Sequence, residues 1–199
     1  MNKKRVLNRG FYNQNAHDFI ERTWAVDMSP LYAEFLPYLP VGGAVLDAGC
    51  GSGRDAYYFA KQGFHVSAFD SAEEIVKIAR TKTGLPVEYR SFEEVDEVER
   101  YDGIWCCASL LHILPEALPE ILNKLINALK PNGVIYLSFK YGEGVREKDG
   151  RIFTDLNEVA LKALLEPFAE EITLEKMWLT GDQRADSQDT WLNAIIKKG

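Results

Sequence analysis

The residues best placed to do chemistry in this sequence are Asp47, Gly49, Gly51 and Gly53, which form the pattern D-x-G-x-G-x-G within residues 45–55. Glycines at that spacing let a ligand lie against bare backbone, because no Cβ intrudes and positive φ is cheap. The amides that open a following helix then point at the ligand. The chemistry implied is the cradling of a nucleotide-bearing cofactor. A dinucleotide fingerprint would need a small residue at position 54, where helix and strand close around a pyrophosphate, but that residue is Arg54. A phosphate-binding P-loop would need Gly-Lys-Ser/Thr after the glycines, and none follows.

A second acid supports the cradle. Asp70 ends another apolar run, twenty-one residues beyond Gly49, close to the ~20-residue interval at which nucleotide-binding βαβ units set a carboxylate on ribose hydroxyls. The same side chain could instead cap the helix that begins near Ser71. His112 follows a strand end on the edge where open α/β sheets bind ligands; it reads either as a base or as a turn histidine bonded to backbone. Residues 140–153 form a basic and aromatic loop on that edge, with Lys140, Tyr141, Arg146 and Arg151 as candidates for an acceptor pocket. Lys140, Tyr141 and His112 are the candidates for proton transfer. The cations would favour an anionic or electron-rich acceptor, although Glu143, Glu147 and Asp149 stand close enough in sequence to neutralise them.

These residues need a scaffold that puts strand ends side by side. Apolar runs at 44–46, 65–69, 87–89, 101–108 and 134–139 alternate with helical patterns, which predicts parallel strands with crossover helices. The run at 101–108 is apolar nearly throughout, as a strand covered on both faces should be. Helices are expected over 56–60 with a stop at Gly63, over 75–79 with a stop at Gly84, from Pro115 through Leu129, and over 157–165. Residues 131–133 read as a turn. The runs at 172–178 and 191–196 have no long helix between them, so they should pair as an antiparallel hairpin, with Asp182, Arg184 and Asp186 on its loop. Ahead of the first strand, Ala16, Phe19, Ile20 and Trp24 give a helical stripe, and Ser29-Pro30 opens a further helix.

Composition narrows the partners. The 199 residues carry a net charge of −7, with a pI near 5.1, so there is no Lys/Arg face of the kind that phosphate backbones require. Nucleic acid is not an expected substrate. No apolar run approaches the ~20 residues of a membrane span, and no signal-type segment is visible, so no membrane association and a cytoplasmic location are expected. Cys50, Cys106 and Cys107 are an odd number, two of them adjacent in an apolar run, which reads as reduced core residues. The three histidines are scattered, and no metal site is expected. Oligomeric state is left open.

The D-x-G-x-G-x-G element between a strand and a helix, with the acid at the end of the second strand, resembles motif I and its partner in class I S-adenosylmethionine-dependent methyltransferases. Gly-Cys-Gly-Ser-Gly-Arg-Asp, Ser-Leu-Leu-His, Leu-Lys-Pro-x-Gly before an apolar strand, Ser-Phe-Lys-Tyr-Gly and the terminal Trp-Leu-Asn are similar to the small stand-alone branch labelled tellurite-resistance-like. The resemblance covers nearly the whole chain. It implies an α/β fold, a doubly wound Rossmann-like seven-stranded sheet ending in an antiparallel hairpin, with order 3-2-1-4-5-7-6. It also implies one domain over 1–199, with 1–40 as an N-terminal helical lid. The cofactor implied is S-adenosyl-L-methionine and the partner a small-molecule acceptor. Carried over residue by residue, the cofactor site would take Asp47, Gly49, Cys50, Gly51, Gly53 and Arg54 from the loop, and Asp70 and Ser71 from the second strand. Ser91 and Phe92 would stand beside adenine, where the family often has an Asp. Main-chain groups near Cys107 and Ala108, with Tyr12 and Arg22 of the lid, would face the methionine part. The rival readings are a cofactor-binding regulator without catalysis and a nicotinamide-dependent oxidoreductase.

Overall fold

The computed structural model describes residues 3–199, with side chains from Asn8 onward; residues 1 and 2 of the expected lid segment lie outside the described residues. Three helices lead, α1 (Lys3–Gln14), α2 (Ala16–Trp24) and α3 (Ser29–Phe35). An alternating series follows: β1 (Ala44–Ala48), α4 (Arg54–Lys61), β2 (His65–Asp70), α5 (Glu73–Thr83), β3 (Glu88–Tyr89), β4 (Tyr101–Cys106), α6 (Leu118–Ala128) and β5 (Leu129–Lys140). The chain closes with β6 (Gly144–Lys148), β7 (Arg151–Asp155), α7 (Glu158–Leu165), β8 (Ile172–Gly181) and β9 (Thr190–Lys198). Among the described residues, no helix is long and apolar enough to cross a membrane.

Seven strands form one sheet in the order β3-β2-β1-β4-β5-β9-β8. Strands β1 to β5 pair in parallel, and β9 pairs antiparallel with β5 and β8. This is the order that the family resemblance implies, renumbered because β6 and β7 form a separate antiparallel pair. The alternation of side chains in a strand separates two cores. Leu46, Ile104, Cys106 and Leu137 meet α6 through Ile121, Leu125 and Ile126. Val45, Trp105, Tyr136 and Ile195 face the other way, onto Phe35 of α3 and Phe59 of α4. There the rings of Trp105 and Tyr136 stack at 4.0 Å.

Three local expectations need correction. Residues 144–155 are a hairpin rather than a loop. Asp149 (φ +52) and Gly150 (φ +71) form the two-residue link between Lys148 and Arg151, which are paired, and two consecutive positive φ values suit the twist of a hairpin. Helix α6 starts at Leu118, not at Pro115, because Pro119 takes its first turn, where a missing N–H costs nothing. The expected turn at 131–133 lies inside β5 as a bulge: Leu129 pairs with Tyr101 and Val134 with Gly103, and Asn132 absorbs the excess at φ +64.

Candidate active site

Strands β1 and β4 are neighbours whose chains depart to opposite sides of the sheet, which leaves a crevice beyond their carboxyl ends. Two cavities occupy it, of about 490 Å³ and about 120 Å³. Both are lined by Tyr12, Phe19, Gly49, Gly51, Ala108 and His112, so they are two lobes of one groove divided at the glycine loop.

The loop is held by backbone and by one carboxylate. Gly49 N–H and Cys50 N–H donate to the Phe69 carbonyl at 3.0 and 2.9 Å. Asp70 accepts from Gly51 N–H at 3.0 Å and from Ala72 N–H at 2.9 Å. It thus joins the loop to the start of α5, and burial pushes its carboxyl above the ordinary value. Asp70 lines the smaller lobe with Ser71, Ser91 and Phe92. Ser91 also closes a capping box with Glu94. Ser109 stands against Gly49, whose φ is +75, and a Cβ added there would lie 2.6 Å from the Ser109 Cβ. The Ser109 Oγ is buried without a hydrogen-bond partner.

The larger lobe takes in Arg22, Cys50, Arg54, Cys107, Lys140 and Arg151. Cys107 and Ala108 form a sharp turn in which Ala108 has φ +51, and its N–H donates to Ser138 Oγ at 2.8 Å. Burial raises the Cys107 thiol well above its ordinary value, with the charge of Asp55 adding to it, which disfavours the thiolate. Arg54 lies on the floor with its guanidinium committed to Asp55 (2.7 and 3.0 Å) and to the Thr23 carbonyl (3.0 Å).

Four assignments made from the sequence do not reach the groove. Asp47 accepts from Ala56 N–H at 2.9 Å, and burial, with the nearby Asp55 charge, drives its pKa well up; it anchors the start of α4. Gly53 lies outside both linings. At φ +75, a Cβ there would come within 2.8 Å of Thr83 Cγ2, so this glycine serves the packing of α4 on α5. Replacing Gly53 with Ala should therefore cost about 1–3 kcal/mol of stability, read as a lowered urea midpoint; an unchanged midpoint would show that the contact is relaxed at no cost. Tyr141 is 43% exposed and donates to Glu158 at 3.0 Å. It follows Lys140 directly, and consecutive residues of an extended chain face opposite ways, so only Lys140 turns into the groove. Arg146 is drawn to Asp155 and lies over Phe153, outside the cavity lining.

His112 is half-buried beside the lobe junction. Its Nδ1 is 3.0 Å from the Ile152 carbonyl and its Nε2 is 2.9 Å from the Tyr12 hydroxyl. A carbonyl only accepts, so Nδ1 carries the proton and Nε2 accepts from Tyr12. Residues of the β8–β9 loop, which the sequence reading left outside the site, complete the wall. Asp182 accepts from Arg184 at 2.6 Å and from Trp191 Nε1 at 3.1 Å. Asn193, buried, accepts from the Tyr136 hydroxyl at 2.7 Å. A polar Ser138 and a polar Asn193 inside otherwise apolar strands were the signals for this wall.

The seven-stranded sheet with a reversed last strand and a glycine-loop crevice defines the Rossmann-like fold of S-adenosylmethionine-dependent methyltransferases. The methyltransferase domain family matches residues 19–147, and the chain belongs to that family. A ubiquinone biosynthesis O-methyltransferase of Xylella fastidiosa is 36% identical over 108 residues, covering 50% of this chain and 43% of that protein. The match therefore spans less than half the length of that relative. The crystal structure of 1,6-didemethyltoxoflavin-N1-methyltransferase of Burkholderia thailandensis, with its substrate and S-adenosylhomocysteine bound, is similar at a TM-score of 0.78 and 26% identity, covering 97% of this chain and 88% of that one. Magnesium protoporphyrin IX methyltransferase of Synechocystis PCC 6803 shares the fold at a TM-score of 0.74 and 16% identity, covering 98% and 100% of the two chains.

Proposed function

We propose that this protein is an S-adenosylmethionine-dependent methyltransferase acting on a small-molecule acceptor. The observation that carries the reading is the Asp70 bridge: one carboxylate at the end of β2, held against the glycine loop, in the lobe that Ser71, Ser91 and Phe92 also line. Two features fit the cofactor. The loop backbone at Gly49 and Gly51 lines the groove where Ser109 and the Phe19 ring leave no room for a Cβ, and the orphaned Ser109 Oγ is a hydrogen-bonding group in want of a partner. On this reading Asp70 binds the ribose hydroxyls, Ser71, Ser91, Phe92 and Ser109 flank the base, and Gly49 to Gly51 run beneath the sugar. Cys107, Ala108, Tyr12 and Arg22 face the amino-acid end.

The cofactor supplies a methyl group already activated on a sulfonium, so an acceptor lone pair forms the new bond while the carbon–sulfur bond breaks with its electron pair left on sulfur. The chain's own task is then to position the partners and exclude water. Helices α1 and α2 serve as the lid of a single domain: Asn8 exchanges two hydrogen bonds with the Ile152 backbone at 2.7 and 3.1 Å, tying the lid to the β6–β7 hairpin. The relatives named above act, by their names, in ubiquinone biosynthesis and on 1,6-didemethyltoxoflavin, which supports an acceptor of that size. Free cysteines and the acidic charge support a cytoplasmic protein that does not bind nucleic acid.

Calorimetry with S-adenosylhomocysteine and with NAD separates this reading from an oxidoreductase; binding of NAD alone would overturn it. Transfer of labelled methyl groups to a panel of small acceptors separates it from a regulator that only holds the cofactor. Asp70→Ala should weaken S-adenosylhomocysteine by about ten- to over a hundredfold, the scale of hydrogen bonds to a charged group. A loss below about threefold would reduce Asp70 to a tether between the loop and α5.

A further inference from the structure

The cations on the acceptor wall are not equivalent. Lys140 is ion-paired with Asp189, Arg146 with Asp155, and Arg184 with Asp182. Arg151 is paired more loosely: its carboxylate partner is the exposed Asp149 at 3.7 Å, and its Nε is buried without a hydrogen bond. The guanidinium lies 4.4 Å from the ring centre of Phe11 and 5.2 Å from that of Phe153. Aromatic faces hold the flat fork in place, and a guanidinium so held suits a planar anion.

Beside it stands the Tyr12–His112 pair. Both imidazole nitrogens are engaged, one by the Ile152 carbonyl and one by the Tyr12 hydroxyl. Burial lowers the His112 pKa to about 4, and the charges of Arg151 and Lys140 push the same way. The groups that face His112 are Tyr12, Arg151, Lys140 and the Phe153 ring, and those that act on Tyr12 are Arg151, Asp70 and Arg184. None of them is a carboxylate in contact with the imidazole. General-base catalysis works best when the pKa lies near the working pH, which His112 does not meet.

On the methyltransferase reading above, we propose that the acceptor is a planar aromatic anion already ionised in solution, such as a phenolate, an enolate or a deprotonated ring nitrogen. Arg151 is its counter-ion, Phe153 and Trp191 are its walls, and the Tyr12–His112 pair is a positioning element that takes no proton. The acceptor's proton has gone to solvent before binding, so the transfer step leaves none for the protein to receive.

The test titrates 4-nitrophenol and its neutral analogue 4-nitrotoluene into S-adenosylhomocysteine-loaded protein, in buffers of different ionisation enthalpy. The phenolate is expected to bind in preference to the analogue, and at a pH below its own ionisation each binding event should release one proton to the buffer. Arg151→Gln should weaken the phenolate about ten- to a hundredfold without changing affinity for S-adenosylhomocysteine. His112→Asn, whose amide can still donate to the Ile152 carbonyl, should keep more of the phenolate affinity than His112→Phe. Equal phenolate affinity in wild type and Arg151→Gln, binding without proton release, or no phenolate binding to loaded protein overturns the proposal and leaves the cofactor reading intact. Failure of wild-type protein to bind S-adenosylhomocysteine overturns the cofactor reading, and the acceptor proposal with it.

Discussion

Replacing Asp55 with Ala should lower the folding stability by about 3–5 kcal/mol, the cost of removing one partner from a buried ion pair. Asp55 is 5% exposed and accepts from the Tyr32 hydroxyl at 2.5 Å, from Trp105 Nε1 at 2.9 Å and from Arg54 at 2.7 and 3.0 Å. One carboxylate therefore joins α3, β4 and α4 beneath the groove. Its loss strands the Arg54 cation, the indole N–H and the phenol at once. Burial alone would raise the Asp55 pKa, but the Arg54 charge and the donated bonds outweigh it and hold the carboxyl below its ordinary value. A depressed carboxylate contributes stability above its unfolded pKa and loses it as pH falls through the folded one. The gap between wild type and Asp55→Ala should thus be full at neutral pH and shrink in acid. Urea unfolding followed by circular dichroism measures it, and the thermal midpoint should drop by roughly 6–20 °C. A deficit under about 1 kcal/mol at neutral pH would mean that Arg54 finds another partner and that the network does not hold the floor.

Gly51→Val should reduce affinity for S-adenosylhomocysteine about a hundredfold or more while the domain stays folded. Gly51 has φ +52, and a Cβ built on it would meet the Phe19 ring at 3.1 and 3.3 Å. A branched side chain must adopt a backbone conformation that costs about 1–3 kcal/mol, and it must either push Phe19 aside or fill the space between the lobes. Phe19 lines both lobes, so neither outcome leaves the groove open along the loop. Calorimetry gives the affinity and circular dichroism checks the fold. Normal affinity in a folded variant would reduce the glycine loop to a turn.

The contrast with Gly53 bears on how far a sequence can be read. Gly51 and Gly53 look alike in D-x-G-x-G-x-G, and both adopt positive φ. One abuts the lid and the groove, whereas the other abuts Thr83, thirty positions away. A motif records that glycine is required and not which neighbour requires it. Tyr12 and Tyr141 differ in the same way: the sequence makes one a residue of the lid and the other a residue of the loop after the fifth strand, both candidates for the site, but helix α1 carries Tyr12 to His112 while strand parity turns Tyr141 out to Glu158. The β6–β7 hairpin did have a legible signal, Asp149-Gly150 between Val145 and Ile152-Phe153. It was obscured because β6 is exposed along its length, so no alternation of apolar residues marks it.

The sequence by itself determined the parallel strands with their crossover helices, the reversed last strand, the glycine loop and the acid that meets it, while the strand order came only with the family resemblance. These depend on contacts that are local or repeated: apolar runs of strand length, helical periodicity, and glycine where φ must be positive. Only the tertiary structure decided which side chains converge. Arg54 is consumed by Asp55, Lys140 by Asp189 and Arg146 by Asp155, whereas Arg151 keeps only a looser pairing with the exposed Asp149 at 3.7 Å and stands beside the Tyr12–His112 pair. Charge pairing and hydrogen bonding are satisfied across distances in sequence of up to 144 residues, and their outcome depends on angstrom-scale placement that residue order alone does not encode.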